Sequence, residues 1–215
     1  GQIDSKNLPF LKNVIYIGDR QETPGMFNFR ELSRLGEAIS DEQFEERQDS
    51  THFHDTVNMQ YTSGTTGFPK GVMLTHYNVI NNARMVGDVM GMTPDDRLLI
   101  QVPLFHCFGC VMSSLNCVVH GSAMVVVEYF DPLKALQYVE QEKCTAINGV
   151  PTMFITIMDN PEFGRFSMKS LRTGIMAGAP CPEEAMSNVI EKMHCPEVVI
   201  AFGQNGVKGG NRATT

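Results

Sequence analysis

From residue 57 onward, strand-like and helix-like segments alternate along the chain, and this alternation constrains the fold more than any other feature. Strand patterns cover residues 57–61, 97–102, 123–128, 145–150, 171–177 and 197–202. Helix-length amphipathic segments separate most of them, as parallel strands require, because their crossover connections need about a dozen residues or more. The pattern therefore predicts an α/β fold with a mainly parallel sheet that helices cover on both faces.

The composition is that of an ordinary globular protein, with 215 residues, 42% apolar and 19% charged. The longest apolar runs are only as long as a strand, so no membrane span is predicted. A formal net charge of −7 without a basic patch argues against nucleic acid as a partner. No secretory signal pattern is visible, and the six cysteines lie mostly in apolar segments, so we expect reduced thiols and a cytoplasmic protein. An oligomer is compatible with this composition.

Two short motifs resemble metal sites but lack the remaining ligands. Cys107 and Cys110 have the spacing of a zinc pair, yet no second Cys or His pair follows at finger-like spacing. His52 and His54 fall on one side of an extended segment with no third ligand nearby. The sequence therefore predicts no metal site formed by protein side chains alone.

Residues 61–71 read YTSGTTGFPKG and have the composition of a phosphate-binding loop. Glycines let backbone N–H groups approach an anion, hydroxyls add donors and lysine adds a positive charge. A strand pattern precedes the loop and Thr75 begins a helical pattern, so the predicted order is strand, loop, helix. A P-loop needs Ser or Thr after its lysine, whereas Gly71 follows Lys70. A Gly-rich surface linker is the remaining alternative, and the flanking strand and helix disfavour it.

The same stretch resembles the signature loop of the adenylate-forming enzymes, which include acyl-CoA synthetases, firefly luciferase and the adenylation domains of peptide synthetases. This resemblance implies that the β- and γ-phosphates of ATP are held by Thr62, Ser63, Gly64, Thr65, Thr66, Gly67, Phe68, Pro69 and Lys70.

Three further loops resemble motifs of that family, and each is predicted at the carboxyl end of a strand, where α/β sheets bind ligands. Residues 103–109 read PLFHCFG, and the resemblance places His106 beside the carboxylate substrate. A lone histidine is more often structural, but the surrounding residues favour the family role. The other two loops imply an adenine site made by Gly178, Ala179, Pro180, the stacking ring of Phe202, Gly203 and Gln204.

The resemblance covers residues 57–204 and is weaker in residues 1–56, which we assign to the same domain. Residues 205–215 resemble nothing in the family, and we interpret them as an unrelated tail that comes from a frameshift or a vector. Gly206 stands where the family places a glutamate that helps to hold magnesium. Since enzymes of the family are much longer, we expect a fragment of the large N-terminal domain that is inactive alone.

The resemblance implies an acid–thiol ligase as the parent enzyme. Such an enzyme uses ATP and Mg²⁺ to activate a carboxylate as an acyl-adenylate, which then reacts with coenzyme A. Residues 103–109 and 148–154 look most like those of synthetases for fatty acids of medium or longer chain. An amino-acid or aryl-acid adenylation domain is the first alternative, although no acidic residue for an amino group is evident. A non-catalytic binding module is the second.

Overall fold

A computed structural model of the chain describes residues 5–20, 24–62 and 69–203. The chain divides into two units, Gly1–His52 and Phe53–Thr215. In the first unit, β1 (Ile15–Tyr16) pairs in parallel with β2 (Phe27–Asn28), and two short helices follow, α1 (Leu32–Gly36) and α2 (Asp41–Asp49). Ser40 caps α2 by accepting a hydrogen bond from the Gln43 backbone N–H.

The second unit begins with an antiparallel hairpin, β3 (Thr56–Thr62) and β4 (Lys70–Thr75). The helix α3 (His76–Met90) starts directly after β4, with Thr75 as its N-cap. The predicted order of strand, loop and helix was therefore wrong, because a second strand separates the loop from the helix. The strand forms because Val72 and Leu74 turn to the less exposed face of the hairpin while Met73 faces out.

Five parallel strands form the main sheet of this unit in the order β6-β5-β7-β8-β9. Their bounds are β5 (Arg97–Ile100), β6 (Ala123–Val126), β7 (Ala146–Gly149), β8 (Thr173–Ala177) and β9 (Glu197–Ala201). The connections contain α4 (Cys107–Gly109), a π-helical segment (Cys110–Leu115), α5 (Asn116–His120), α6 (Pro132–Gln141), α7 (Pro151–Met158) and α8 (Glu183–Lys192). This architecture confirms the predicted α/β fold with a parallel sheet flanked by helices.

Alternate side chains of each strand enter the two layers of the core. On one face, Leu99, Ile147 and Met176 pack with apolar residues of α6, α7 and α8. On the other face, Leu98 and Ile100 pack with α3 and with the helical stretch from α4 to α5. Both faces of the sheet are therefore covered, and the edges where strands begin and end remain for polar groups and loops.

The amino-terminal edge of the sheet is held together by a buried carboxylate. Asp96 is 3% exposed and accepts hydrogen bonds from Arg172, from the Thr145 hydroxyl at 2.6 Å and from the Thr93 backbone N–H at 2.8 Å. Thr145 precedes β7 and Arg172 precedes β8, so one carboxylate connects the starts of neighbouring strands. In the part of the chain that the structure describes, no helix combines the length and the apolar character that crossing a membrane requires.

Candidate active site

The carboxyl ends of all five parallel strands lie at the same edge of the sheet, which gathers three of the predicted loops. The loop with His106 follows β5, the Gly178 turn follows β8, and Phe202 follows β9. Ala177 pairs with Ala201 in adjacent strands, so the chain leaves β8 and β9 at the same level. Gly178 and Phe202 are the next residues of these two strands, and the two parts of the predicted adenine site are therefore neighbours.

His106 is the N-cap of α4, with an extended backbone and an exposed side chain. Its Nδ1 accepts a hydrogen bond from the Phe108 backbone N–H at 3.1 Å, and Cys107 Sγ lies 3.7 Å from the same atom. Since Nδ1 is an acceptor, the neutral ring carries its proton on Nε2. The turn thus leaves Nε2–H as the group that can donate to a ligand.

Gly109 explains why the histidine motif ends in glycine. A Cβ atom there would clash with the carbonyl oxygen of Pro103, a backbone group that cannot turn aside as a flexible side chain can. The close approach folds the loop back on itself, and Phe108, 5% exposed, anchors the turn in the core. Leu104 and Phe105 stay outside, 49% and 86% exposed, and give the loop an apolar surface beside His106.

The turn after β8 depends on glycine for a different reason. Gly178 has φ of +86°, a conformation that L side chains rarely adopt. An added Cβ would also lie 3.1 Å from Val150 Cγ1, so the turn lies against the residue that follows β7. Burial raises the pKa of the Cys181 thiol, which stays protonated and donates to the carbonyl oxygens of Met176 and Ala179 at 3.4 and 3.5 Å. Ala179 and Pro180 are exposed at the edge.

Phe202 and Gly203 continue β9 and are both exposed. The Phe202 side chain keeps 65% of its surface exposed, although phenylalanine is among the residue types most often buried. An aromatic face is therefore available beside the Gly178 turn.

The predicted phosphate-binding residues that the structure describes lie on the hairpin and not on the five-stranded sheet. Thr62 ends β3 and pairs with Lys70 at the start of β4, so the predicted loop connects two antiparallel strands. Pro69 and Lys70 are exposed. The remaining predicted residues, Ser63, Gly64, Thr65, Thr66, Gly67, Phe68 and Gln204, lie outside the described residues, as do residues 205–215.

Two buried polar residues near this edge were not predicted. Asn148 lies in β7 with 0% exposure, and Gln101, which follows β5, is 4% exposed and donates from Nε2 to Asn148 O at 3.2 Å. In the sequence, each of these residues is a polar residue within an otherwise apolar strand pattern. The pattern alone does not tell whether such a residue is buried inside the strand or marks the exposed end of it.

The sequence of the chain also matches a known family. The family described as AMP-binding enzyme matches residues 8–207. The chain belongs to this family. Within it, the chain is 52% identical over 204 residues to the putative acyl-CoA synthetase YngI of Bacillus subtilis strain 168, a match that covers 95% of this chain and 37% of that protein. It is 37% identical over 206 residues to the mitochondrial medium-chain acyl-CoA ligase ACSF2 of Danio rerio, covering 94% and 34%.

Solved structures of AMP-binding and related enzymes share the fold. ATP-bound MatB from Rhodopseudomonas palustris superposes with a TM-score of 0.62 at 28% identity, covering 72% of this chain and 30% of that one. The anthranilate CoA ligase AuaEII with anthranoyl-AMP reaches a TM-score of 0.75 over 96% of this chain and 40% of that one, and at 22% identity it shows the fold alone. The chain spans about a third of the length of the curated relatives it matches.

Proposed function

We propose that this chain is part of an ATP-dependent acyl-CoA synthetase, an acid–thiol ligase that activates a fatty acid and transfers it to coenzyme A. The observation that carries the proposal is the placement of the His106 turn, the Gly178 turn and Phe202 at one edge of the sheet in a chain of the AMP-binding family. The relatives named acyl-CoA synthetase and medium-chain acyl-CoA ligase support this class of reaction.

The chemistry replaces a poor leaving group by a good one. A carboxylate oxygen attacks the α-phosphorus of ATP and pyrophosphate departs, which leaves the acyl group on AMP. The thiol of coenzyme A then attacks the acyl carbon and AMP departs. The protein contributes mainly by holding the reactants in line and stabilising the charge that develops.

In this proposal each part of the site has its own ligand group. Nε2–H of His106 donates to the carboxylate, whose negative charge favours such a contact. The Gly178 turn and Phe202 enclose the adenine, together with Ala179, Pro180, Gly203 and Gln204. The hairpin loop from Thr62 to Lys70 holds the β- and γ-phosphates. Gly178 fits this role because glycine readily adopts the φ of +86° that the turn requires.

Magnesium can be held in this site mainly by the phosphates of ATP. The described ranges contain no group of three or more His, Cys, Asp or Glu side chains that could hold a metal ion. Mg²⁺ is commonly held by substrate phosphates with only one or two protein carboxylates. We therefore propose that Mg²⁺ enters with ATP, where it neutralises phosphate charge.

The apolar surface beside His106 favours a fatty acid as the substrate. Leu104 and Phe105 are exposed in the histidine loop, and Met153 lies partly buried at the start of α7. Each methylene of an acyl chain that becomes buried there adds about 0.8 kcal/mol of binding free energy. A chain of several methylenes should therefore bind more tightly than acetate. The cytoplasmic location stays a prediction, since ACSF2 of Danio rerio is named a mitochondrial protein.

Exchange of pyrophosphate into ATP tests the proposal, since it reports adenylate formation without coenzyme A. The assay compares octanoate with acetate, benzoate and phenylalanine, using the 215-residue chain and a chain extended to the length of its relatives. We expect the extended enzyme to prefer octanoate and to form octanoyl-CoA when coenzyme A is added. Preference for benzoate or phenylalanine would instead support an aryl-acid or amino-acid adenylation domain, and preference for acetate would exclude a fatty-acid pocket.

The same assay tests whether the chain is active alone. We expect exchange by the 215-residue chain to be on the order of a hundred-fold slower or more, the usual cost of losing an electrostatic contact to the transition state. Equal rates for the two chains would contradict this expectation and would support a complete catalytic site within these residues.

A further inference from the structure

A continuous chain of hydrogen bonds runs from His106 into the core of the sheet. Phe108 donates its N–H to His106 Nδ1 at 3.1 Å, and the Phe108 carbonyl accepts from the Ser113 hydroxyl at 2.8 Å. Ser113 Oγ in turn accepts from Asn148 Nδ2 at 3.0 Å. Asn148 Oδ1 accepts from the Ile175 backbone N–H of β8, also at 3.0 Å. Four hydrogen bonds thus connect the exposed imidazole with a central strand.

The middle of this chain is fully buried. Ser113 and Asn148 are both 0% exposed, and Gln101, which donates to the Asn148 carbonyl, is 4% exposed. Without water to replace a lost partner, each of these groups depends on the next for its hydrogen bond. The two side chains also pair with backbone groups, the Phe108 carbonyl and the Ile175 N–H, so an apolar pair would leave both groups without these partners. What the polar pair adds is a single defined arrangement of the elements that it joins.

Ser113 belongs to the π-helical segment, Cys110–Leu115, that follows the His106 turn. Such segments are rare and frequently occur at functional sites. Its hydroxyl bonds the carbonyl five residues earlier, which ties the segment to the turn. The segment therefore connects the sheet, through Asn148, to the turn that carries His106.

Asn148 joins the same chain to the strands on either side of β7. Its carbonyl oxygen accepts from Gln101 Nε2, and Gln101 lies between β5 and the histidine loop. Its side-chain oxygen holds Ile175, three residues before Gly178 and the proposed adenine site. One residue therefore touches the strand that leads to the carboxylate side and the strand that leads to the adenine side.

We propose that Ser113 and Asn148 are positioning residues that hold His106 in register with the end of β8. This inference rests on the proposed function, in which His106 contacts the carboxylate and the Gly178 turn contacts the nucleotide. The two reacting partners would then be aligned by a buried polar link that neither of them touches. Alignment of this kind matters because small displacements of reacting groups strongly reduce the rate.

The test compares Ser113→Ala with Ser114→Ala. Ser114 lies in the same π-helical segment and donates to the Gly109 carbonyl at 3.0 Å, so its variant loses a hydroxyl bond of the same kind. Ser113→Ala removes the 3.0 Å bond to Asn148 and leaves only the longer contact of Asn148 Nδ2 with the Met112 carbonyl at 3.5 Å, whereas Ser114→Ala leaves both in place. Ser113→Cys keeps a weak donor of similar size and serves as the conservative variant. Far-ultraviolet circular dichroism and urea unfolding verify that each variant is folded.

The first readout needs no substrate. Nitrogen-15 NMR of the imidazole of His106, assigned with His106→Gln, reports which ring nitrogen carries the proton in the neutral form. We expect the Nε2–H tautomer to dominate in the original chain and in Ser114→Ala. Ser113→Ala should shift the tautomer ratio by about fivefold, the size of one net hydrogen bond. If the tautomer ratio of His106 is unchanged in Ser113→Ala, or if it shifts by the same amount in Ser114→Ala, Ser113 does not position His106 and the inference is overturned.

The second readout is the steady-state rate of the extended enzyme with octanoate and ATP. We expect Ser113→Ala to lower kcat/KM for octanoate about five- to tenfold, with a smaller change in the KM for ATP and partial recovery in Ser113→Cys. A changed tautomer with unchanged kinetics would assign Ser113 a structural role and overturn the inference. If the original enzyme does not use octanoate, the proposed function fails, whereas the NMR comparison still decides whether Ser113 controls His106.

Discussion

Arg172 donates two hydrogen bonds to the Asp96 carboxylate, from Nε to Oδ1 at 3.0 Å and from Nη2 to Oδ2 at 2.5 Å. The same guanidinium donates to the carbonyls of Met90 and Gly91 at the end of α3, and to Glu197 at the start of β9. The pair therefore fixes the edge of the sheet opposite to the candidate site. Its contribution to stability can be measured separately from activity.

We expect Asp96→Asn to lower the free energy of unfolding by about 3 kcal/mol. The variant leaves Arg172 without its buried partner, and the loss falls at the lower end for a broken buried pair because the Arg172 side chain is 33% exposed. Urea unfolding measures the change. Glu197→Gln is the matched control, since Glu197 is 62% exposed and its removal should cost about 1 kcal/mol or less. Equal losses in the two variants would contradict the buried role of Asp96.

The same pair predicts how stability depends on pH. Burial alone would raise the pKa of Asp96, but hydrogen bonds from Arg172, Thr145 and Thr93 outweigh burial and lower it to about 2. In the unfolded chain the pKa of an aspartate is about 4. The ionised carboxylate therefore stabilises the fold fully above the unfolded value, and this stability is lost as the pH falls toward the folded value.

We accordingly expect the difference in unfolding free energy between the original chain and Asp96→Asn to be constant near neutral pH and to shrink below about pH 4. Urea unfolding over a series of acidic buffers measures that difference. A difference that stays constant down to about pH 2 would show that the charge of Asp96 does not contribute.

The parallel sheet could be predicted because its strands carry their own signal. Segments such as residues 97–100 and 173–177 are buried on both faces, so they appear as short apolar runs between helix-length connections. The hairpin could not be predicted in the same way. Lys70 and Gly71 are poor strand formers, and β4 exists because it pairs with β3, which the local sequence does not report.

The candidate site was predictable only in part for a related reason. His106, Gly178 and Phe202 stand in motifs, and the topology brings their loops to one edge. Ser113 belongs to no motif, and the stretch 148–154 gives no role to Asn148, whose hydrogen bond with Ser113 joins residues 35 positions apart. The role of a buried polar side chain depends on its hydrogen-bond partner, and that partner can be identified only from the folded structure.

We expect Gly178→Ala to destabilise the fold by about 1–3 kcal/mol, because alanine must adopt the backbone conformation at φ of +86°. The new Cβ would also press on Val150, which should displace the turn and weaken ATP binding. Thermal unfolding and titration with ATP measure the two effects. Gly164→Ala is the control, since no atom lies within 4 Å of its added Cβ, and it should change stability by less than about 0.5 kcal/mol. Tolerance of alanine at Gly178 would show that the turn is not constrained.

The Phe202 ring is exposed, so its contribution to ATP binding can be measured with little change in the stability of the fold. Because the side chain is 65% exposed, Phe202→Ala should change the free energy of unfolding by about 0.5 kcal/mol or less. If the ring stacks on adenine, the same variant should lose about 1–3 kcal/mol of ATP binding, the value typical of a base on an aromatic side chain. Isothermal titration of the extended enzyme with ATP measures this loss.

Two controls identify the part of ATP that Phe202 recognises. Tripolyphosphate carries the phosphates without the base, so its affinity should not change in Phe202→Ala. Ile200→Ala removes another exposed apolar side chain from β9, 43% exposed, and should leave the affinity for ATP unchanged. Equal weakening of ATP and tripolyphosphate would place Phe202 near the phosphates or in the support of the loop, and would exclude adenine stacking as its role.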